Sequence, residues 1–80
     1  MSWHAYLLRC GDGSLYAGAT NDLRGRLAAH RAGKGAKYTR GRGPLALVWK
    51  RRAKDRSAAL KLEARLKRMT RKAKLALIGD

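Results

Sequence analysis

The sequence has no phenylalanine, one proline and one cysteine. A single thiol excludes an internal disulfide. With no second thiol at metal-ligand spacing, Cys10 reads as small core filler. No apolar run approaches the roughly 20 residues of a membrane span, and the amino-terminal stretch lacks the apolar segment of a secretory signal. A cytoplasmic protein is therefore expected. Acids are scarce, with five Asp and Glu against 20 Lys and Arg, a formal charge of +15. Also missing is a long amphipathic segment with bulky apolar anchors, which argues against a membrane surface as partner. No linker and no internal repeat divides the 80 residues, so one domain, 1–80, is expected.

What is present is an ordinary apolar fraction, 45%, on a chain short enough to bury only about 60% of its unfolded surface. Leu, Ala, Val, Trp3 and Trp49 must pack efficiently, and the tryptophans read as core residues rather than base-stacking platforms. Self-repulsion among so many cations opposes compaction and points to a polyanionic partner. Nucleic acid meets that need, each neutralised phosphate releasing counterions. A merely solubilising charge is the bland alternative.

Residues 3–9 read as a strand, Gly11-Asp12-Gly13-Ser14 as a turn, and residues 15–19 as the returning strand. The loop length decides which side chains share a face. A two-residue loop would set Tyr6 and Tyr16 on opposite faces. A three-residue loop, Gly11-Asp12-Gly13 with Gly13 left-handed, pairs Leu8 with Tyr16 and Tyr6 with Gly18. Both tyrosines then face one way, and Gly13 favours this register.

Thr20-Asn21-Asp22 starts a helix reaching about Arg31. Leu23 and Leu27 form its core stripe, helped by Ala28, with Arg26 and His30 flanking it. Residues 31–43 mix glycine with Lys34, Lys37, Arg40 and Arg42 and read as a loop, with one short helical turn around Ala36–Thr39, closed by Pro44. Leu45–Trp49 is a third strand continuing into the basic run Lys50–Arg52. A helix follows from Arg56 to Arg68, started by Asp55 or Ser57, with Ala58, Leu62, Leu66 and Met69 along one face. Thr70 caps a last helix, Arg71–Ile78, ended by Gly79. The order is ββαβαα, an α+β fold with a small sheet flanked by helices.

Against this cationic background the acids are informative. Asp12 belongs to the turn, Asp22 and Asp55 to helix starts, and Asp80 to the end of the sequence. Glu63 has no such local task and borders the buried face of its helix. It suits an i, i+4 pair with Lys67, and equally a ligand for a hard divalent cation such as Mg2+. Tyr6 and Tyr16 suit half-buried packing. On one face they also suit water activation, if Arg26, His30 and Lys37 favour a phenolate. Phosphodiester hydrolysis needs an activated water, a cation against developing phosphate charge, and usually a metal. The 33–43 loop suits contacts to a nucleic-acid backbone through Lys34, Lys37, Arg40 and Arg42, although it lacks the spacing of a nucleotide-binding P-loop. Lys50–Arg52, Lys67, Arg68, Arg71, Lys72 and Lys74 are further backbone candidates or solvated charges. His4 reads as a strand-edge residue.

His4-Ala5-Tyr6, Tyr16-Ala17-Gly18, Arg26, His30 and Glu63, in this order and spacing, resemble the GIY-YIG nuclease domain. The run 33–42 further resembles small stand-alone bacterial members related to Slx1-type structure-specific endonucleases. The likeness spans Trp3 to Ile78. It implies a three-stranded antiparallel sheet flanked by helices and metal-dependent cleavage of DNA with one divalent ion, Mg2+ or Mn2+. It further implies that Tyr6 and Tyr16 orient or deprotonate water, that Arg26 stabilises the charged phosphate and that Glu63 holds the metal. His30 matches an assisting histidine, and Tyr38 stands where several members place another catalytic Tyr or His. The chain departs from the pattern in lacking the first motif's glycine and isoleucine, in carrying Ala17 for isoleucine, and in having no asparagine after Glu63. The other reading is a non-catalytic nucleic-acid-binding module of the same fold. A protein-partner adaptor is the fallback, and nothing in the sequence demands a dimer.

Overall fold

The computed structural model describes residues 2–79. Its elements run β1 (Trp3–Arg9), β2 (Leu15–Thr20), α1 (Leu23–Arg31), a 3-10 turn (Lys37–Thr39), β3 (Ala46–Ala53), α2 (Arg56–Arg68) and α3 (Arg71–Ile78). The expected α+β order ββαβαα is therefore present. The sheet is antiparallel in the order β2-β1-β3.

The turn sets the hairpin register. Gly13 has φ 84°, a left-handed conformation that glycine adopts without a Cβ penalty. The Cys10 amide donates to the Ser14 carbonyl at 2.9 Å, closing a three-residue loop. Tyr6 therefore pairs with Gly18 and Leu8 with Tyr16, and the tyrosines share a face. On the other side of β1 the ladder slips between Leu7, opposite Trp49, and Leu8, opposite Leu47. Val48 is the extra residue of that bulge.

Asp22, Asp55 and Thr70 cap the three helices through side-chain oxygens that accept from Gly25, Ala58 and Ala73. Gly79, at φ 91°, ends α3. Cap preferences put these boundaries within reach of sequence reading.

The sheet's faces differ. Ala5, Leu7 and Ala17 meet Leu66 of α2, with Val48, Trp49, Leu62, Met69 and Ile78 packed around them. Ala59, not Ala58, is the fully buried alanine of α2; with Leu62, Leu66 and Met69 it makes an i, i+3, i+7, i+10 stripe. The opposite face carries Tyr6, Tyr16 and Gly18 and receives His30 of α1. Here α1 departs from expectation. Ala28 is exposed and the leucines are half-buried, while His30 is the buried residue of the helix. His30 follows Leu23 and Leu27 at i+7 and i+3, so it belongs to the stripe rather than flanking it.

His4 departs as well, since it lies on the central strand between Thr20 and Arg52, not at an edge. Cys10 is buried and free. Trp49 packs on the core, and Trp3 is half-buried. Asp80 lies outside the described residues. Among those residues no helix is long and apolar enough to cross a membrane.

Candidate active site

The hairpin supplies Tyr6 and Tyr16, α1 supplies Arg26 and His30, the 32–45 segment supplies Tyr38 and Thr39, and α2 supplies Glu63. Gly18 makes room for the first of these. A Cβ there would collide with the Tyr6 ring and hydroxyl, so the phenol lies across the bare backbone of the neighbouring strand and points at α1. Gly35 plays the same part behind His30, whose ring occupies the space a Cβ would fill.

A line of hydrogen bonds crosses this face. Tyr6 Oη lies 3.0 Å from His30 Nε2, and His30 Nδ1 lies 2.9 Å from Thr39 Oγ1. The Thr39 hydroxyl donates to the Ala36 carbonyl at 2.9 Å. A hydroxyl has one proton to donate, so Thr39 Oγ1 must accept from His30 Nδ1–H. Nε2 is then left as the acceptor for the Tyr6 O–H. Both His30 and Thr39 are only 2% exposed, so the chosen tautomer is shielded from competing water.

The electrostatics agree with a neutral pair. Burial lowers the His30 pKa below its ordinary 6.5, and the Arg26 charge lowers it further. Burial also raises the Tyr6 phenol above its ordinary 10.0. Arg26 opposes that shift as hydrogen-bonding neighbour and as charge, while Tyr16 and Glu63 add to it. Tyr6, Tyr16, Arg26 and Glu63 are thus within electrostatic reach of one another. The expectation that cations, His30 among them, favour a phenolate is corrected. Desolvation outweighs Arg26, and His30 is an acceptor rather than a cation.

The aromatic rings continue outward. Tyr16 meets His30 edge to face, with centroids 5.3 Å apart. Tyr38 stacks on Tyr16 at 5.8 Å, and the Arg42 guanidinium caps the Tyr38 ring 4.4 Å from its centroid. Arg42 also pairs with Asp12 of the hairpin turn, and its carbonyl accepts from the Gly11 amide. Hydrogen bonds from the Ser14 hydroxyl and amide, then the Arg42 charge, hold the Asp12 carboxyl down at about 2. The basic loop is therefore latched to the turn. Lys34, Lys37 and Arg40 are exposed, whereas Arg42 has these internal partners.

Glu63 is half-buried and pairs with Lys67 at 3.4 Å, the lysine side chain being 57% exposed and the glutamate 19%. Such an exposed partner is readily displaced. Among the described residues no three His, Cys, Asp or Glu gather to hold a metal. A lone, partly desolvated carboxylate still suits Mg2+, which takes one or two carboxylates and completes its shell with waters and substrate phosphate. Thr39 and Gly35 escaped sequence reading. Nothing in the basic run marks a threonine that fixes a histidine nine residues away.

The model of the GIY-YIG catalytic domain matches residues 2–76. The chain belongs to the GIY-YIG family. It is similar to a UPF0213 protein of Yersinia pestis (strain Pestoides F), with 54% identity over 78 residues, 98% of this chain and 82% of the relative. Among solved structures it resembles the UPF0213 protein BH0048 of Bacillus halodurans. The TM-score is 0.63 and the identity 42%, over 99% of this chain and 84% of that one. The protein EF2693 of E. faecalis has the same TM-score and identity, over 92% of this chain and 79% of its own. Family membership places the chain among nucleases acting on nucleic acid.

Proposed function

We propose that this chain is a single endonuclease domain that hydrolyses DNA phosphodiester bonds with one divalent metal ion, Mg2+ or Mn2+, and selects branched or nicked structures. The observation that carries the reading is the Tyr6–His30–Thr39 hydrogen-bond line beside Arg26. A tyrosine whose pKa is raised is a poor base by itself. Hydrogen-bonded to a neutral imidazole, it becomes a relay. Tyr6 Oη takes a proton from the attacking water while its own proton passes to His30 Nε2. Thr39 keeps Nε2 free for that proton by accepting from Nδ1–H, the task a carboxylate performs in a Ser-His-Asp triad.

Arg26 stands where a cation meets the charge growing on the phosphate. Tyr16, wedged between His30 and Tyr38, orients the water, and Tyr38 carries the aromatic wall out to solvent. Glu63 would hold the metal, which when bound supplies Lewis-acid polarisation of a phosphoryl oxygen. Lys34, Lys37, Arg40 and Arg42 bind the backbone of the substrate.

The test is cleavage of labelled junctions, flaps and duplexes with Mg2+ or Mn2+, comparing wild type with Glu63→Ala. Cleavage by the wild type alone is expected. Undiminished cleavage by the variant would remove Glu63 as metal ligand. No cleavage of any substrate by either protein, with binding retained, would leave a nucleic-acid-binding module.

A further inference from the structure

A cleft of about 200 Å3 opens between the hairpin and the last helix, lined by Ser14, Leu15, Tyr38, Arg71 and Lys74. Arg71 and Lys74 are three residues apart on α3 and so project to one side of it. Arg71 donates to the Gly13 carbonyl at 2.7 Å, across 58 residues of sequence. A guanidinium carries five N–H donors in a rigid fork, and this bond takes one of them. It also holds in place a side chain that would otherwise lose rotamer freedom on meeting a ligand. No acid lines the cleft. The nearby Asp12 is engaged by Ser14 and Arg42.

The cleft is not isolated from the candidate site. Tyr38 forms part of its wall and stacks on Tyr16, which in turn meets His30. A polyanionic strand with one phosphate at Tyr6 and Arg26 therefore has an aromatic path past Tyr16 and Tyr38 to the cations of α3. We infer that the Arg71–Lys74 cleft is a subsite for a backbone phosphate of the bound nucleic acid, next to the one undergoing attack. The position relative to attack rests on the nuclease reading; phosphate binding in the cleft does not.

The experiment measures binding, in EDTA, of a fluorescent DNA duplex at several salt concentrations, with neutral methylphosphonate linkages placed one at a time along one strand. Arg71→Ala/Lys74→Ala is expected to weaken binding roughly tenfold and to flatten the log–log salt slope by about 1 for the phosphate lost. One or two linkages whose neutralisation weakens wild-type binding should have no further effect in the double variant. Lys54→Ala/Lys61→Ala removes the same charge elsewhere and should leave the linkage pattern unchanged. Identical linkage patterns in wild type and the Arg71/Lys74 variant would overturn the subsite. Should that variant unfold, Lys74→Gln, which keeps the Arg71–Gly13 bond, must blunt the same linkages, and failure to do so overturns it equally. Because no cleavage is required, a wild type that binds but never cuts would sink the nuclease reading and leave this result standing.

Discussion

The two faces of β1 are built from alternate residues of one strand and obey different rules. On one, Ala5 and Leu7 pack with Ala17 against Leu66, and shape and volume are all that matters. On the other, Tyr6 is as buried as Leu7, at 1% and 0% exposure, yet every polar atom of the Tyr6–His30–Thr39 line finds a partner. A buried hydroxyl or imidazole without a partner would cost about 1–3 kcal/mol. The Tyr6–His30–Thr39 line is therefore ordered by hydrogen-bond matching, although His4 Nδ1, two residues away on the same face of β1, is buried without a partner, and the apolar face is ordered by filling space. Equal burial fills space on one side and holds a line of hydrogen-bonded polar groups in place on the other.

That contrast can be broken most sharply by a crossed pair of variants. Tyr6→Phe keeps the ring on Gly18 and should lower the cleavage rate about 100- to 10,000-fold, the usual size of a general-base effect, at a stability cost of about 1–3 kcal/mol for the buried His30 Nε2 left without its donor. Leu7→Ala, its neighbour on the other face, should destabilise folding by about 2–5 kcal/mol while leaving the rate of the folded protein near wild type. Cleavage assays beside denaturant melts of both proteins check this, and equal rates for the two would show that the polar face has no special part in the chemistry.

Gly18→Ala attacks the place where the faces are decided. The added methyl meets the Tyr6 ring, so a destabilisation of about 1–3 kcal/mol is expected, together with loss of cleavage as the phenol leaves His30. An unshifted unfolding midpoint would mean that Tyr6 has room to spare.

The smallest effect is on pH. The proposed relay needs a neutral His30 as proton acceptor, so cleavage should fall as pH drops through its pKa, which lies below the ordinary 6.5. The same depression affects folding. Below about 6.5 the unfolded chain binds a proton that the folded chain resists, so stability declines as pH falls through that range and recovers above it. In His30→Gln the unfolding midpoint should lose this part of its slope between pH 7 and pH 5. A slope identical to wild type would assign it to other groups.

Much of this architecture was legible in residues close in sequence. Gly13 selected the three-residue loop and thereby put Tyr6 and Tyr16 on one face, a local consequence of period-two alternation. Asp22, Asp55, Thr70 and Gly79 marked helix ends because caps act within three or four residues. His30 was legible as a position but not as a buried, neutral acceptor, since that depends on Tyr6, 24 residues away, and on Thr39 in an irregular loop. Arg42 looked like one more loop cation, and only its approach to Asp12 and Tyr38 made it a latch.

The sequence by itself determined the strong positive charge, the order of elements, the hairpin register and the isolation of Glu63 among so many cations. These follow from composition and from forces that act over a turn or a pair of strands. Tertiary structure alone decided which proton sits on which His30 nitrogen and that Tyr6 remains a phenol. It alone joined Arg71 of the last helix to the turn of the first hairpin. Those outcomes depend on desolvation and on hydrogen-bond partners distant in sequence, and neither exists until the chain has packed.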